Sequence, residues 1–220
     1  MTFGQLLADN FKPAQVIANL GKKWTLADGY IKLYPSGRYV HSAIDAVVDA
    51  LSRVPGGRIA PAEVERVEIR AYKMVAFLGE KRPKNLFGTR FSVPFSVAAI
   101  IRHGRTDLDV FGESSFKDRD VMELAERVDV VEVPAFTAAF HGRQLVELDV
   151  VMKNGSVVSG RCEITKGEPG NPHRLEDIEK KFHQLAQPVW GQAAARRVFD
   201  EAMQVERIVD MSAFCAGLEL

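Results

Sequence analysis

Only two cysteines occur in the 220 residues, Cys162 and Cys215, and they share no CxxC spacing. That excludes a disulfide framework and a cysteine zinc cluster, and it suits a reducing compartment. Net charge is absent as well, since 29 Lys and Arg balance 29 Asp and Glu. A chain without a basic excess lacks the broad attraction on which nucleic-acid and anionic-membrane binders rely, so neither partner is expected. The sequence has no run of about 18 apolar residues, and Met1-Thr-Phe-Gly-Gln-Leu-Leu-Ala-Asp9 has no basic stretch leading into an apolar one. The chain is therefore expected to be cytoplasmic. Walker loop, GxGxxG, GxSxG, HExxH and metal-spaced His/Cys motifs are all missing. What the chain does have is 46% hydrophobic residues, ample for a genuine core.

Periodicity supplies the elements. Leu6, Leu7, Phe11, Val16, Ile17 and Leu20 suggest two short helical pieces broken at Pro13 and stopped by Gly21. Residues 24–34 are short, aromatic and punctuated by Gly29 and Pro35, and they read as an extended piece. Ile44, Val47, Val48, Leu51 and Val54 recur at helical spacing; Ser42-Ala-Ile-Asp45 matches a capping box and Pro55-Gly-Gly57 ends the helix. Residues 63–72 alternate, with Val67, Ile69 and Ala71 on one face and Glu68, Arg70 and Tyr72 on the other, as in a half-buried strand. A buried helix over 91–103 takes Pro94 in its first turn, where the missing N–H costs nothing. A helix over 118–127 leads into a strand over 128–133. Asn154-Gly155 between 145–152 and 157–164 predicts a hairpin with a type I′ turn. Beyond residue 172 only helical patterns remain: Leu175, Ile178, Phe182, Leu185 and Ala186 form an apolar stripe, and Pro188 interrupts. The fold class is α+β, a two-layer sandwich of helices on a mainly antiparallel sheet, followed by C-terminal helices that need a surface to cover.

One loop stands out chemically. Ile31-Lys-Leu-Tyr-Pro-Ser-Gly-Arg-Tyr-Val-His41 brings Lys32, Ser36, Arg38 and His41 to the start of the predicted helix. Backbone N–H groups and the helix dipole there favour carboxylates and disfavour an imidazolium, so a neutral His41 can serve as a general base near pH 7. The plainer reading stays open: a lone His before a helix is commonly a capping or packing residue, and Lys32 is one of 29 basic residues. Arg90 and Ser92 similarly read as a loop cation and an N-cap. Lys166-Gly167 after a strand is a solvated loop or an anion contact.

Taken in order, four segments resemble the MmgE/PrpD family, whose members include 2-methylcitrate dehydratase, cis-aconitate decarboxylase and iminodisuccinate epimerase. They are the loop above continued through Ser42-Ala-Ile-Asp45, then Arg90-Phe-Ser-Val-Pro-Phe95, Lys166-Gly-Glu-Pro-Gly-Asn-Pro172 and Lys180-Lys-Phe182. The resemblance implies a helical lead-in over 1–30, an α+β domain over 31–170, and helices over 171–220 that belong to a large helical domain. It also implies that about the first half of a typical member is lacking, with the active site in a cleft of which this chain supplies one wall. Lys32 matches the family's active-site lysine and His41 the histidine opening the next helix. Ser36, Arg38, Arg90 and Ser92 are substrate-binding candidates. Gly37 departs from the pattern, because members often place Cys or His near that position. The implied activity is that of a lyase of the hydro-lyase type on a citrate-like di- or tricarboxylate such as 2-methylcitrate, with no metal and no cofactor. In that scheme Lys32 neutralises a carboxylate or protonates a leaving hydroxyl, His41 exchanges a proton and Arg90 anchors a second carboxylate. A homodimer is implied, and a separately encoded N-terminal helical half is a further expected partner. The alternatives are a related decarboxylase or epimerase, a non-catalytic partial chain or subunit of a split enzyme, and a small-molecule binding or oligomerisation module.

Overall fold

The computed structural model describes residues 9–140 and 142–218. Residues up to Tyr30 form one compact unit and residues from Ile31 onward another. In the first unit Pro13 begins a five-residue helix, Pro13–Ile17, instead of breaking one, because proline is tolerated at the first helical position. The helical piece expected around Leu6 and Leu7 lies outside the described residues. Gly21 takes the left-handed conformation of a helix stop (φ 74°). The extended reading of 24–34 is corrected in this unit, where Thr25–Asp28 is a 3₁₀ turn.

The second unit is α+β. Its four strands are β1 (Val64–Ala71), β2 (Val128–Glu132), β3 (Val146–Met152) and β4 (Val157–Cys162), in the sheet order β2-β1-β3-β4. β1 pairs parallel with β2 and antiparallel with β3, and β3–β4 is a hairpin, so the sheet is mainly antiparallel with one parallel edge. Val67, Ile69 and Ala71 are fully buried with Leu148 and Val150 of β3, while Arg70 on the other face bridges Glu147 and Asp149 across the strand pair. The alternation in the sequence thus sets the two faces as far as Ala71, whereas Tyr72, expected on the outer face, lies just past the strand and is buried in the core.

Helices α1 (His41–Leu51), α2 (Val93–His103) and α3 (Arg119–Ala125) cover the apolar face. α1 lies on β3 and β4, and α2 packs on β2 between α1 and α3. Phe95, Ile100 and Ile101 of α2 and Ile44 and Val47 of α1 are buried in the same core. Each such side chain contributes about 1.5–3 kcal/mol on leaving water. Pro94 and the Ser92 N-cap start α2, and Gly104 in the left-handed region ends it.

Two local expectations are corrected here. The Ser42/Asp45 capping box does not form, because a 3₁₀ turn, Arg38–Val40, precedes α1 and leaves Val40 in helical conformation as its N-cap. Ser42 Oγ instead bonds the Tyr39 carbonyl at 3.3 Å, and Asp45 is engaged elsewhere. The hairpin turn is not type I′ either. Only Gly155 of the Asn-Gly pair has positive φ (84°), Gly155 N–H donates to the Met152 carbonyl, and Met152 N–H pairs with Ser156. That is a three-residue loop with a left-handed glycine, favoured because Asn154 Oδ1 accepts from Ser156 N–H and Oγ–H.

Leu175–Ala202 forms α4, whose break lies at Gly191 (φ 77°, ψ 164°) and not at Pro188. The two arms meet through Phe182, His183 and Phe199, with ring centroids 5.4 and 5.6 Å from Phe199. Ala186 and Phe199 are buried, whereas Leu175, Leu185 and Val189 of the predicted stripe and its continuation are exposed. Among the described residues no helix is long and apolar enough to cross a membrane.

α1 approaches the sheet closely at Gly160 of β4. A Cβ there would collide with the Ala46 carbonyl oxygen and the Ala50 amide of α1. Gly160→Ala is therefore expected to cost about 2 kcal/mol of stability by forcing α1 off the sheet. An unchanged urea midpoint would show that helix and strand part without penalty.

Candidate active site

The loop running into α1 has no regular structure until Arg38–Val40, so it owes its shape to groups that seize its backbone. Ile31 N–H donates to the Gly167 carbonyl at 3.1 Å, and the Ile31 carbonyl accepts from His173 Nε2 at 3.1 Å. Lys181 Nζ donates to the Lys32 carbonyl. Arg90 Nη1 donates to the Pro35 carbonyl at 2.9 Å, while the Arg90 carbonyl accepts Gly37 N–H at 2.7 Å. His41 Nε2 holds the Ser36 carbonyl at 3.3 Å. A carbonyl only accepts, so His41 and His173 each carry the proton on Nε2.

Two glycines permit this closeness. Gly167 sits at φ 97°, and a Cβ there would collide with the Ile31 carbonyl oxygen and press on His173. At Gly37 a Cβ would lie 3.0 Å from the Phe91 ring, so a side chain at this position requires that ring to shift.

The electrostatics follow from burial and from cations. His41 is fully buried, and burial lowers its pKa to about 4, with the charges of Lys32, Arg38 and Lys181 adding and the Ser36 bond opposing. Partial burial and then Lys32 lower the Lys181 pKa. Lys32 itself is exposed, and among the described residues no carboxylate pairs with its ammonium or with that of Lys181. Arg38 pairs with Glu168.

The structure thus brings Lys32, Ser36, Arg38, His41 and Arg90 together and adds Lys181. Ser92 is not among them: it is fully buried at the start of α2, where Oγ accepts from Phe95 N–H at 3.0 Å and donates to the Glu80 carbonyl at 2.5 Å. Ser36 Oγ is buried without a hydrogen-bond partner among the described residues. At pH 7 His41 is neutral, as the general-base reading requires, and its low pKa of about 4 weakens it as a proton acceptor. Its geometry makes it a clamp on Ser36.

Beside the loop lies a groove of about 1020 Å³ whose walls include Tyr34, Asp45, Lys166, His173, Lys180 and Lys181. Tyr34 ties the loop to it, because the ring centroid is 5.0 Å from that of His41 while the hydroxyl donates to Asp45 at 2.7 Å. Burial raises the Asp45 pKa to about 6 against the opposing bonds from Lys166 N–H and Tyr34. Cys162, in the same wall, has its thiol pushed up to about 12 by burial and then by Asp45, so it is an inert thiol. Sequence reasoning missed Lys181, Asp45 and His173 as members of this cluster. Lys180-Lys-Phe182 was visible as a landmark, but a cation on a distant helix gives no sign of which loop it grips. Among the described residues no group of three or more His, Cys, Asp or Glu is arranged to hold a metal ion.

Comparison with known proteins identifies the class to which this α+β domain belongs. Residues 34–205 match the MmgE/PrpD C-terminal domain, and the chain belongs to the MmgE/PrpD family. It is 24% identical to the cis-aconitate decarboxylase-like protein oryM of Aspergillus oryzae, over 98% of this chain and 45% of that protein. The chain therefore spans less than half the length of this curated relative.

Proposed function

We propose that the chain supplies the basic wall of a carboxylate-processing site of the dehydratase or decarboxylase type, acting on a citrate-like di- or tricarboxylate. The observation that carries this reading is the pair of ammonium groups, Lys32 and Lys181, which lack carboxylate partners among the described residues and stand beside a buried neutral imidazole. Removing a proton next to a carboxylate builds an enolate-like dianion, which fixed cations in a water-poor cleft stabilise. Family membership and the decarboxylase-like name of the relative point to the same chemical class.

In this scheme Lys32 neutralises a carboxylate or protonates the leaving hydroxyl of a hydro-lyase reaction, Lys181 supplies the second charge, and the abstracted proton passes to a base on the facing wall of the cleft. His41 and Arg90 hold the loop through the Ser36 and Pro35 carbonyls, and Arg38 acts through its pair with Glu168. Decarboxylation and epimerisation pass through the same carbanion. A second reading is that a separately encoded helical half completes the cleft. The assembly would then be a split enzyme, with self-association into a homodimer as an accompanying proposal.

The test is turnover of 2-methylcitrate, citrate and cis-aconitate by the purified chain, with and without a co-expressed N-terminal helical half, followed by double-bond absorbance. Turnover that appears on adding the half supports the split site, and turnover by the chain alone supports a self-sufficient one. Silence in both arms, together with no citrate binding, would remove the carboxylate reading.

A further inference from the structure

The carboxylate of Asp45 joins three parts of the second unit that are far apart in sequence. It projects from α1, and one oxygen accepts the Tyr34 hydroxyl at 2.7 Å. The other accepts Lys166 N–H at 2.7 Å and faces Cys162 Sγ at 3.9 Å. Tyr34 belongs to the loop that carries Lys32, and Lys166 to the connection between β4 and α4. Those two segments also grip each other, through Ile31 N–H to the Gly167 carbonyl and His173 to the Ile31 carbonyl. From α1, Asp45 therefore reaches both members of the pair at once. A helix side chain that only capped its own first turn would bond neither.

We infer that Asp45 is a positioning residue, the brace that fixes the height of the Lys32 loop over the groove by tying Tyr34 and the 164–171 connection to α1. The inference rests on the proposed carboxylate site for its functional meaning, although the brace itself is a matter of geometry. The loop between Ile31 and Ser36 has no ladder of its own, so its position is only as fixed as the groups that hold it. Lys181, His173 and Arg90 grip its carbonyls, but Tyr34 is where the side chains of the loop are anchored. Asp45 is also a wall of the groove, so any ligand lodged there would lie directly against the brace.

The measurement is hydrogen exchange across the purified full chain, paired with citrate affinity by calorimetry. Asp45→Ala is expected to speed exchange in 31–36 and in 164–171 by about tenfold and to weaken citrate binding by about tenfold, the loss of about one net hydrogen bond at each segment. The strands β1 and β3 should exchange as before, which a merely structural role would not allow. Asp45→Asn is expected to restore both properties to within about threefold, because its carbonyl serves Lys166 N–H and its amide serves the Tyr34 oxygen. Tyr34→Phe, which removes a single hydroxyl, should loosen 31–36 and leave 164–171 alone.

Unchanged exchange in 31–36 in both Asp45→Ala and Tyr34→Phe overturns the brace. Should Asp45→Ala fail to fold, Tyr34→Phe alone decides it. A wild-type chain that binds no citrate counts against the carboxylate reading, which silent turnover in both arms would then remove, while the exchange data still judge the brace.

Discussion

Lys32→Met is expected to lower turnover of the completed enzyme by about a hundredfold to ten-thousandfold and to move the unfolding free energy by no more than about 0.5 kcal/mol. The separation of these two effects follows from how the residue is held. Its carbonyl, not its ammonium, is the part that the fold uses, through Lys181. The ammonium is exposed and pairs with no carboxylate among the described residues, so its removal leaves no buried partner unsatisfied. Methionine keeps the length and most of the apolar stem, which preserves whatever the stem covers. What it removes is one fixed positive charge where a dianion is to form. It also relieves the repulsion that lowers the His41 and Lys181 pKa values, so both should rise in the variant, and NMR titration of His41 provides an internal check that Lys32 is where the structure places it. Undiminished turnover with a shifted His41 titration would separate the geometry, which would stand, from the catalytic assignment, which would fall.

The sequence disclosed the layers of the fold because they depend on periodicity. Val67, Ile69 and Ala71 face the core and Arg70 faces out, and α2 begins at the Ser92 cap that the pattern suggests. It misled where one residue type serves two geometries. Asn154-Gly155 suits a type I′ turn, but Asn154 spends its side chain on Ser156 and leaves positive φ to Gly155 alone. Ser42 and Asp45 have capping-box spacing, but a 3₁₀ turn already occupies the end of α1 and frees Asp45 for Tyr34 and Lys166. Pro188 looks like the break in α4, and the chain yields instead at Gly191, where no Cβ opposes the change. For the site, the loop from Lys32 to His41 was legible because its polar residues are consecutive. The strength of His41 as a base was not legible, since it is set first by burial in the folded chain, which no local pattern of residues shows. Ser92 shows the converse: its identity fits either a cap or a ligand, and only burial decides for the cap.

His41 and Asp45 lie four residues apart on α1, and Tyr34 touches both, yet their titrations oppose each other. The His41 pKa is lowered from 6.5 to about 4. As pH falls from 6.5 towards 4 the unfolded chain takes up a proton that the native state refuses, so this contribution to stability is complete above pH 6.5 and is lost on acidification. The Asp45 pKa is raised from 3.8 to about 6. Here the native state takes the proton first, so its contribution is complete below pH 3.8 and is lost as pH rises through 6. A tenfold change in proton affinity corresponds to about 1.4 kcal/mol, so each displacement is worth about 3 kcal/mol, with opposite sign and over nearly the same pH window. The pair therefore conceals itself: the wild type gains little net pH dependence from these two groups between pH 4 and 6.5. Asp45→Asn removes one arm of the balance without removing an acceptor for Lys166 N–H. Its unfolding free energy, measured by urea denaturation, is expected to fall relative to wild type by about 3 kcal/mol as pH drops from 6.5 to 4. A difference between variant and wild type that stays constant over that range would mean that the fold does not raise the Asp45 pKa. A variant that stays flat while the wild type gains stability on acidification would mean that His41 takes up its proton in the folded chain, and that the clamp on Ser36 is not as dry as its burial implies.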